Sequence, residues 1–178
     1  MTTSSPISIA SPADVPSLIH LLNSAYRGEA AKKGWTHEAD LIEGEERMDA
    51  ENLLQMMEDP AAVIVKYIHG SEIAGCVYLQ KQEEALYLGM LSVLPGLQAK
   101  GIGKQLLGFA DQYAREIQCK RIEMKVIGKR SELVQWYQRH GYRDSGKRIP
   151  FDAQPKFGVP REPVEFMIMV KDILGTRS

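Results

Sequence analysis

Residues 86–107 read L-Y-L-G-M-L-S-V-L-P-G-L-Q-A-K-G-I-G-K-Q-L-L. From Leu86 to Val93, seven of the eight residues are apolar or glycine, which predicts a short strand buried on both faces, and Pro95-Gly96 ends it. Between Leu97 and Lys104 there is no acidic residue, and two glycines leave the backbone uncovered. Ile102, Leu106, Phe109 or Ala110, Tyr113 and Ile117 then recur at helical spacing, so a helix starts at the glycines. A helix start points N–H groups outward and attracts an anion. The stretch is therefore expected to be a strand, a phosphate cradle and a helix in succession.

Two common motifs share that outline, and neither fits. A dinucleotide fingerprint needs a small residue three places after Gly103, where Leu106 stands. A P-loop ending in Gly103-Lys104 needs glycine at 98 and Ser or Thr at 105, and both are glutamine. Gln98-Ala99-Lys100-Gly101-Ile102-Gly103 instead matches the Gln/Arg-x-x-Gly-x-Gly/Ala signature of acetyl-coenzyme A binding. On these residues the chain resembles the GNAT superfamily of N-acetyltransferases. G-W-T-H-E-A-D-L, R-S-E-L-V-Q-W-Y-Q-R-H-G-Y and the later P-F-D and F-G-V-P tracts resemble a bacterial and fungal subgroup of it.

Bulk properties agree with such a protein. With 178 residues, 44% of them hydrophobic and 25% charged, the chain suits one well-filled core, and a single domain over 1–178 is expected. A net charge of −1 with both signs intermixed supplies no field for nucleic acid or a membrane surface. Neither Cys76 nor Cys119 has a Cys–His spacing around it, so both read as free thiols, no metal site is expected, and a reducing, cytoplasmic setting follows. The first residues lack the basic start and apolar run of a secretory leader, and no run reaches membrane-spanning length.

In chain order, Ile7 to Ala10 predicts a strand, and Ser11-Pro12-Ala13-Asp14 a helix start with the apolar face Val15, Leu18, Ile19, Leu22 behind it. Arg27 to Met48 is polar but holds anchors such as Trp35, and reads as a substrate-facing loop. Asp49 caps a second helix carrying Leu53, Leu54 and Met57, ended by Asp59-Pro60. Ala61–Ile68 and Ile73–Gln80 form a hairpin about His69-Gly70-Ser71. After the long helix, Arg121–Val126 alternates as a half-buried strand, Ser131–His140 makes a short helix, 150–160 is a proline-interrupted excursion, and Val164–Val170 is the last strand. The resemblance implies an α/β (α+β) GNAT fold: a mixed, mostly antiparallel sheet of about seven strands, its fourth and fifth splayed apart, with about four helices.

Acetyl transfer to an amine poses three problems: a proton must leave the amine, an oxyanion must be stabilised, and the thiolate must be protonated. Neutralising a lysine-like amine of pKa ~10.4 at neutral pH costs about 4–5 kcal/mol, while a thiolate of pKa ~8.5 can take a proton from an acid of pKa ~10. Tyr137 matches the superfamily's second signature, aliphatic-Tyr-x-x-x-Gly-Phe/Tyr, four residues before Gly141-Tyr142, which implies the acid beside the sulfur. The family's frequent asparagine seven residues earlier is Arg130 here, which could serve the nucleotide 3′-phosphate. The resemblance implies that the backbone N–H duties toward the thioester carbonyl and the pantetheine arm would fall, by position, to Leu91 and Val93. Gln98, Lys100, Gly101, Ile102, Gly103 and Lys104 would hold the pyrophosphate.

A strand glutamate used by some relatives is Tyr87 here, so a carboxylate base is excluded at that point. His37, Glu38, Asp40, Glu84 or a water relayed by Tyr87 remain, and Trp35, Glu38, Asp40 and Tyr87 are assigned to the acceptor amine. No cysteine in either signature could carry the acetyl group, so direct attack in a ternary complex is expected. A longer acyl donor stays open because the cradle reads only the coenzyme. A coenzyme-binding sensor without turnover stays open too, favoured by the missing glutamate and opposed by Tyr137. The resemblance also allows a homodimer, with the terminal strand and the 150–160 tract as the places for its interface.

Overall fold

The computed structural model describes residues 5–26, 42–43, 49–97, 100–128, 130–150, 159–160 and 165–173. Strand β1 (Ile7–Ile9) leads into a 3₁₀ turn at Pro12–Asp14 and then helix α1 (Val15–Tyr26). The Ser11 N–H donates to Asp14 Oδ2 at 2.9 Å, so the acidic residue of the first turn occupies a backbone group the helix would leave open. Leu18, Leu21 and Leu22 are fully buried, each contributing about 1.5–3 kcal/mol of transfer free energy. Helix α2 (Ala50–Glu58) is capped as expected, Asp49 Oδ1 accepting from the Asn52 N–H at 2.9 Å. Leu53 is its buried residue, whereas Leu54 faces outward.

The short strand β2 (Ile42–Glu43) pairs with β8 (Val159–Pro160) outside the main sheet. The main sheet holds β3 (Ala62–His69), β4 (Glu72–Gln82) and β5 (Ala85–Val93), then β6 (Arg121–Ile127), β7 (Arg143–Pro150) and β9 (Glu165–Asp172). Its order is β1-β3-β4-β5-β6-β9-β7. Every neighbouring pair is antiparallel except β5–β6, whose connection carries helix α3 (Ile102–Glu116). Helix α4 (Ser131–Arg139) follows β6. This seven-stranded mixed sheet with four helices is the expected α/β fold.

Two cores result, one on each face. α3 and α4 pack Leu106, Ala110, Val134 and Tyr137 onto Val77, Leu79, Leu86, Leu88 and Met124. α1 and α2 pack onto Ile64, Cys76, Tyr78 and Met90.

The resemblance implies a seventh strand, but no residue pattern marks β7 as it. R-D-S-G-K-R-I-P has no apolar alternation, and all its residues are exposed. It forms because it is the edge partner of β9, which lies between it and β6.

Candidate active site

The β5–β6 ladder runs from Ala85–Arg121 to Leu88–Met124 and stops there, although both strands continue. On its other side, β5 pairs Gly89 with Tyr78 and then Ser92 with Cys76, so β5 carries one residue more than β4 over that interval. The surplus is a bulge at Met90, which sits at φ +55°. Its effect on side-chain parity is direct. Leu86 and Leu88 lie in the α3 core and so do Leu91 and Val93, while Tyr87 and Met90 pack on the α1 side. The Met90 carbonyl accepts from Ser92 Oγ at 3.0 Å and from Cys76 Sγ at 3.6 Å.

Beyond β5 the chain turns twice, the Leu97 N–H donating to the Leu94 carbonyl at 3.0 Å and the Lys100 N–H to that of Leu97 at 3.2 Å. Gly101 caps α3 in the left-handed region, at φ +82° with open space where a Cβ would stand. The Gln105 N–H donates back to the Gly101 carbonyl at 3.1 Å, which leaves Ile102, Gly103 and Lys104 as the N–H groups that begin the helix. The first turn has no acidic residue, and Lys100 and Lys104 are exposed beside it. These features fit a diphosphate: outward amides, a bare glycine and two exposed cations.

Gly103 has a different task. A Cβ there would lie 3.1 Å from the Trp136 ring and 3.9 Å from Val93 Cγ2, so the start of α3, the end of β5 and α4 meet at this point. A Cβ on Gly75 would approach Ile102 Cγ2 to 2.9 Å, so α3 is seated directly on β4.

Tyr137, next to Trp136 on α4, is buried at 5% exposure, edge-on to Trp136 (5.2 Å between centroids) and to Tyr142 (5.9 Å). The candidate acid is thus also a core residue. Arg130 precedes α4, its carbonyl accepting the Val134 N–H at 3.0 Å, and its side chain makes no cap bond to the helix. Tyr142 is buried where Asp111 and Lys171 form an ion pair of 2.7 Å, and burial, with the Asp111 carboxylate adding to it, pushes its phenol far up.

On the opposite face, Tyr87 is half-buried and edge-on to Tyr78 at 6.3 Å. The Lys125 ammonium lies 5.8 Å from the Tyr87 ring centroid, one residue past the last β5–β6 pair. Glu123, on the same face, is drawn to Arg121 at 3.4 Å. Glu84 bonds Lys120 at 3.2 Å on the turn before β5. At about 3.3 Å per residue it stands more than about 20 Å along the strand from Leu91. Gln98, Trp35, His37, Glu38 and Asp40 lie outside the described residues. Among the described residues there is no cluster of three His, Cys, Asp or Glu able to hold a metal ion, and no helix long and apolar enough to cross a membrane.

Residues 34–153 match the family model described as the acetyltransferase (GNAT) domain. The chain belongs to the GNAT family. It is 30% identical over 106 residues to the aminoalkylphosphonate N-acetyltransferase of Salmonella typhimurium, a match covering 56% of this chain and 66% of that protein, just under two thirds of its length. Among solved GNAT-like structures, YncA of Salmonella typhimurium with its cofactor acetyl-CoA superimposes with a TM-score of 0.70 at 14% identity, over 99% of this chain and 98% of that one. The PaiA N-acetyltransferase of Thermoplasma acidophilum in complex with coenzyme A gives 0.68 at 18% identity, over 96% and 99%. At these identities the likeness is one of fold.

Sequence reasoning missed the Met90 bulge and the Ser92 and Cys76 side chains that meet its carbonyl. A signal was there: in L-Y-L-G-M-L-S-V the large aliphatics change from even to odd positions between Leu88 and Leu91. An inserted residue is what turns such a pattern back onto one face.

Proposed function

We propose that this chain is an acetyl-CoA-dependent N-acetyltransferase whose acceptor is a primary amine attacking directly in a ternary complex. The observation that carries the reading is the ladder that ends at Leu88–Met124 beside an acid-free helix start at Gly101–Lys104. A gap between two strands admits a thin, extended arm, and the helix start receives its charged end. When bound, acetyl-CoA supplies an activated acyl carbon and a thiol leaving group.

The chain's own groups do the rest. Gln98, Lys100, Gly101, Ile102, Gly103 and Lys104 bind the pyrophosphate, mainly through backbone N–H, and Arg130 serves the 3′-phosphate. Val93 holds the pantetheine arm by its backbone. The Leu91 N–H donates to the acyl oxygen as negative charge builds on it. Tyr137 gives its phenolic proton to the departing sulfur and recovers one from solvent. Trp35, Glu38, Asp40 and Tyr87 face the amine, with His37, Glu38, Asp40 or a water on Tyr87 taking its proton.

The acceptor class is read from Lys125. Its neighbour Glu123 is taken up by Arg121, so among the described residues Lys125 has no acidic partner and offers a positive charge beside Tyr87 at the opening between β5 and β6. That charge suits an amine bearing an acidic group, the class to which the substrate in the Salmonella relative's name belongs.

Thiol release from acetyl-CoA, followed over a panel of aminoalkylphosphonates, amino acids and polyamines, tests both levels. Acid-bearing amines are expected to be preferred, and Lys125→Ala to raise their KM about tenfold, as expected for losing one charge-assisted contact. Coenzyme binding without release by any amine would make the chain a sensor instead. Faster release from longer acyl donors would change the acyl group and leave the rest standing. Equal KM values in Lys125→Ala would remove the acidic acceptor.

A further inference from the structure

The bulge in β5 is held by two side chains. Ser92 Oγ, at 3.0 Å, and Cys76 Sγ, at 3.6 Å, both donate to the carbonyl of Met90. They come from residues paired directly across the β4–β5 ladder, so they stand on the same face, and both are buried. Cys76 belongs to the core beneath α1, and so does Met90 itself. The carbonyl is therefore drawn toward the α1 side of the sheet. No peptide bond among the described residues is cis, and a trans peptide points its C=O and its N–H in opposite directions. The N–H in that same peptide plane is that of Leu91. With the carbonyl held toward α1, the N–H is turned toward α3, where the Leu91 and Val93 side chains also pack and where β6 has ceased to be the ladder partner.

We propose that Ser92 and Cys76 are positioning residues that aim the Leu91 N–H at the acyl oxygen. The proposal rests on the acetyltransferase reading above. Met90 needs such a restraint because a non-glycine residue at positive φ is strained, and a half-turn of the Met90–Leu91 peptide would present a carbonyl oxygen where a donor is wanted. A hydroxyl buried at 2% exposure also needs a partner of its own, and Met90 supplies it. The hydroxyl is the stronger donor of the two and sits closer, so Ser92 should dominate.

The decisive comparison is Ser92→Thr against Ser92→Val in the full chain, because the two side chains have nearly the same shape and differ in the hydroxyl. In ¹⁵N-labelled protein titrated with acetyl-CoA and separately with coenzyme A, the Leu91 amide proton is expected to move downfield with acetyl-CoA in the wild type and in Ser92→Thr. In Ser92→Val that movement should be lost, with coenzyme A affinity unchanged. With an accepted amine, kcat should fall about tenfold or more in Ser92→Val at constant KM for acetyl-CoA, short of the hundredfold or greater loss from deleting an oxyanion donor. If Ser92→Val does not fold, Ser92→Ala and Cys76→Ala carry the same comparison with smaller changes. Equal Leu91 shifts and equal kcat in the Thr and Val variants overturn the positioning role and leave the enzyme intact. A wild type that binds no acetyl-CoA overturns the acetyltransferase reading first, and the positioning role with it.

Discussion

Gly101 and Gly103 stand two residues apart and are glycine for different reasons. Gly101 needs its conformation: at φ +82° with nothing within 4 Å of a Cβ, alanine would be strained by about 1–2 kcal/mol yet would touch nothing. Gly101→Ala should therefore lower the unfolding midpoint and still bind coenzyme A, whereas Gly101→Glu sets a carboxylate among the outward amides and should abolish binding in a calorimetric titration of a still-folded chain. Tyr137 is tested in the opposite sense. Removing its hydroxyl keeps the ring that packs against Trp136 and Tyr142, so Tyr137→Phe should keep coenzyme affinity while kcat falls about a hundredfold or more. A kcat unchanged in Tyr137→Phe would return the residue to the core and nothing else. These positions were legible in the letters because turns and motifs need particular residue types. Met90 was not, since a methionine at positive φ carries no mark of it, and only the parity change around it could have been read.

Elements meet at a polar corner behind the site, where α3 brings Asp111, the segment after α4 brings Tyr142 and β9 brings Lys171. Tyr142 Oη and Asp111 Oδ1 are buried without a hydrogen-bond partner among the described residues. A buried orphan hydroxyl is unfavourable, so Tyr142→Phe should leave stability unchanged or raise it by about 1 kcal/mol in denaturant titrations. The pH dependence has a definite sign. Burial, with Asp111 adding to it, keeps the folded phenol protonated well above its ordinary range, so above about pH 10 only the unfolded chain releases that proton and stability falls as pH rises. Tyr142→Phe should make that alkaline decline shallower, and an unaltered slope would show that the phenol is not shielded as described. Helix α3 and strand β5 were readable as elements because their apolar periods are strong. Strand β7 was not, because an exposed edge strand is specified by the partner it pairs with and not by its own pattern.

At the scale of the molecule, the mixed sheet divides into a run of local pairings and a run of distant ones. β3, β4 and β5 follow one another in sequence and in space, and the hairpin at Gly70-Ser71 was foreseen from its turn residues. β6, β9 and β7 do not, because β9 enters between two strands that precede it. No letter announces an insertion of that kind, which depends on which edges are left unpaired once the nearer contacts have formed. Removing residues 165–178 should leave β6 without its antiparallel partner and β7 without any in the main sheet, so a shortened chain should lose cooperative unfolding in a thermal melt. A truncated chain that melts like the full one would contradict this arrangement.

The late entry of β9 bears on how the protein is made. A nascent chain can assemble the hairpins and helix α3 in the order in which they are synthesised, but β7 emerges before the only main-sheet strand it bonds to. Until translation delivers residues 165–172, the flank of β6 is an open template of unsatisfied amides and carbonyls, the form in which a chain is most exposed to sticking to its neighbours.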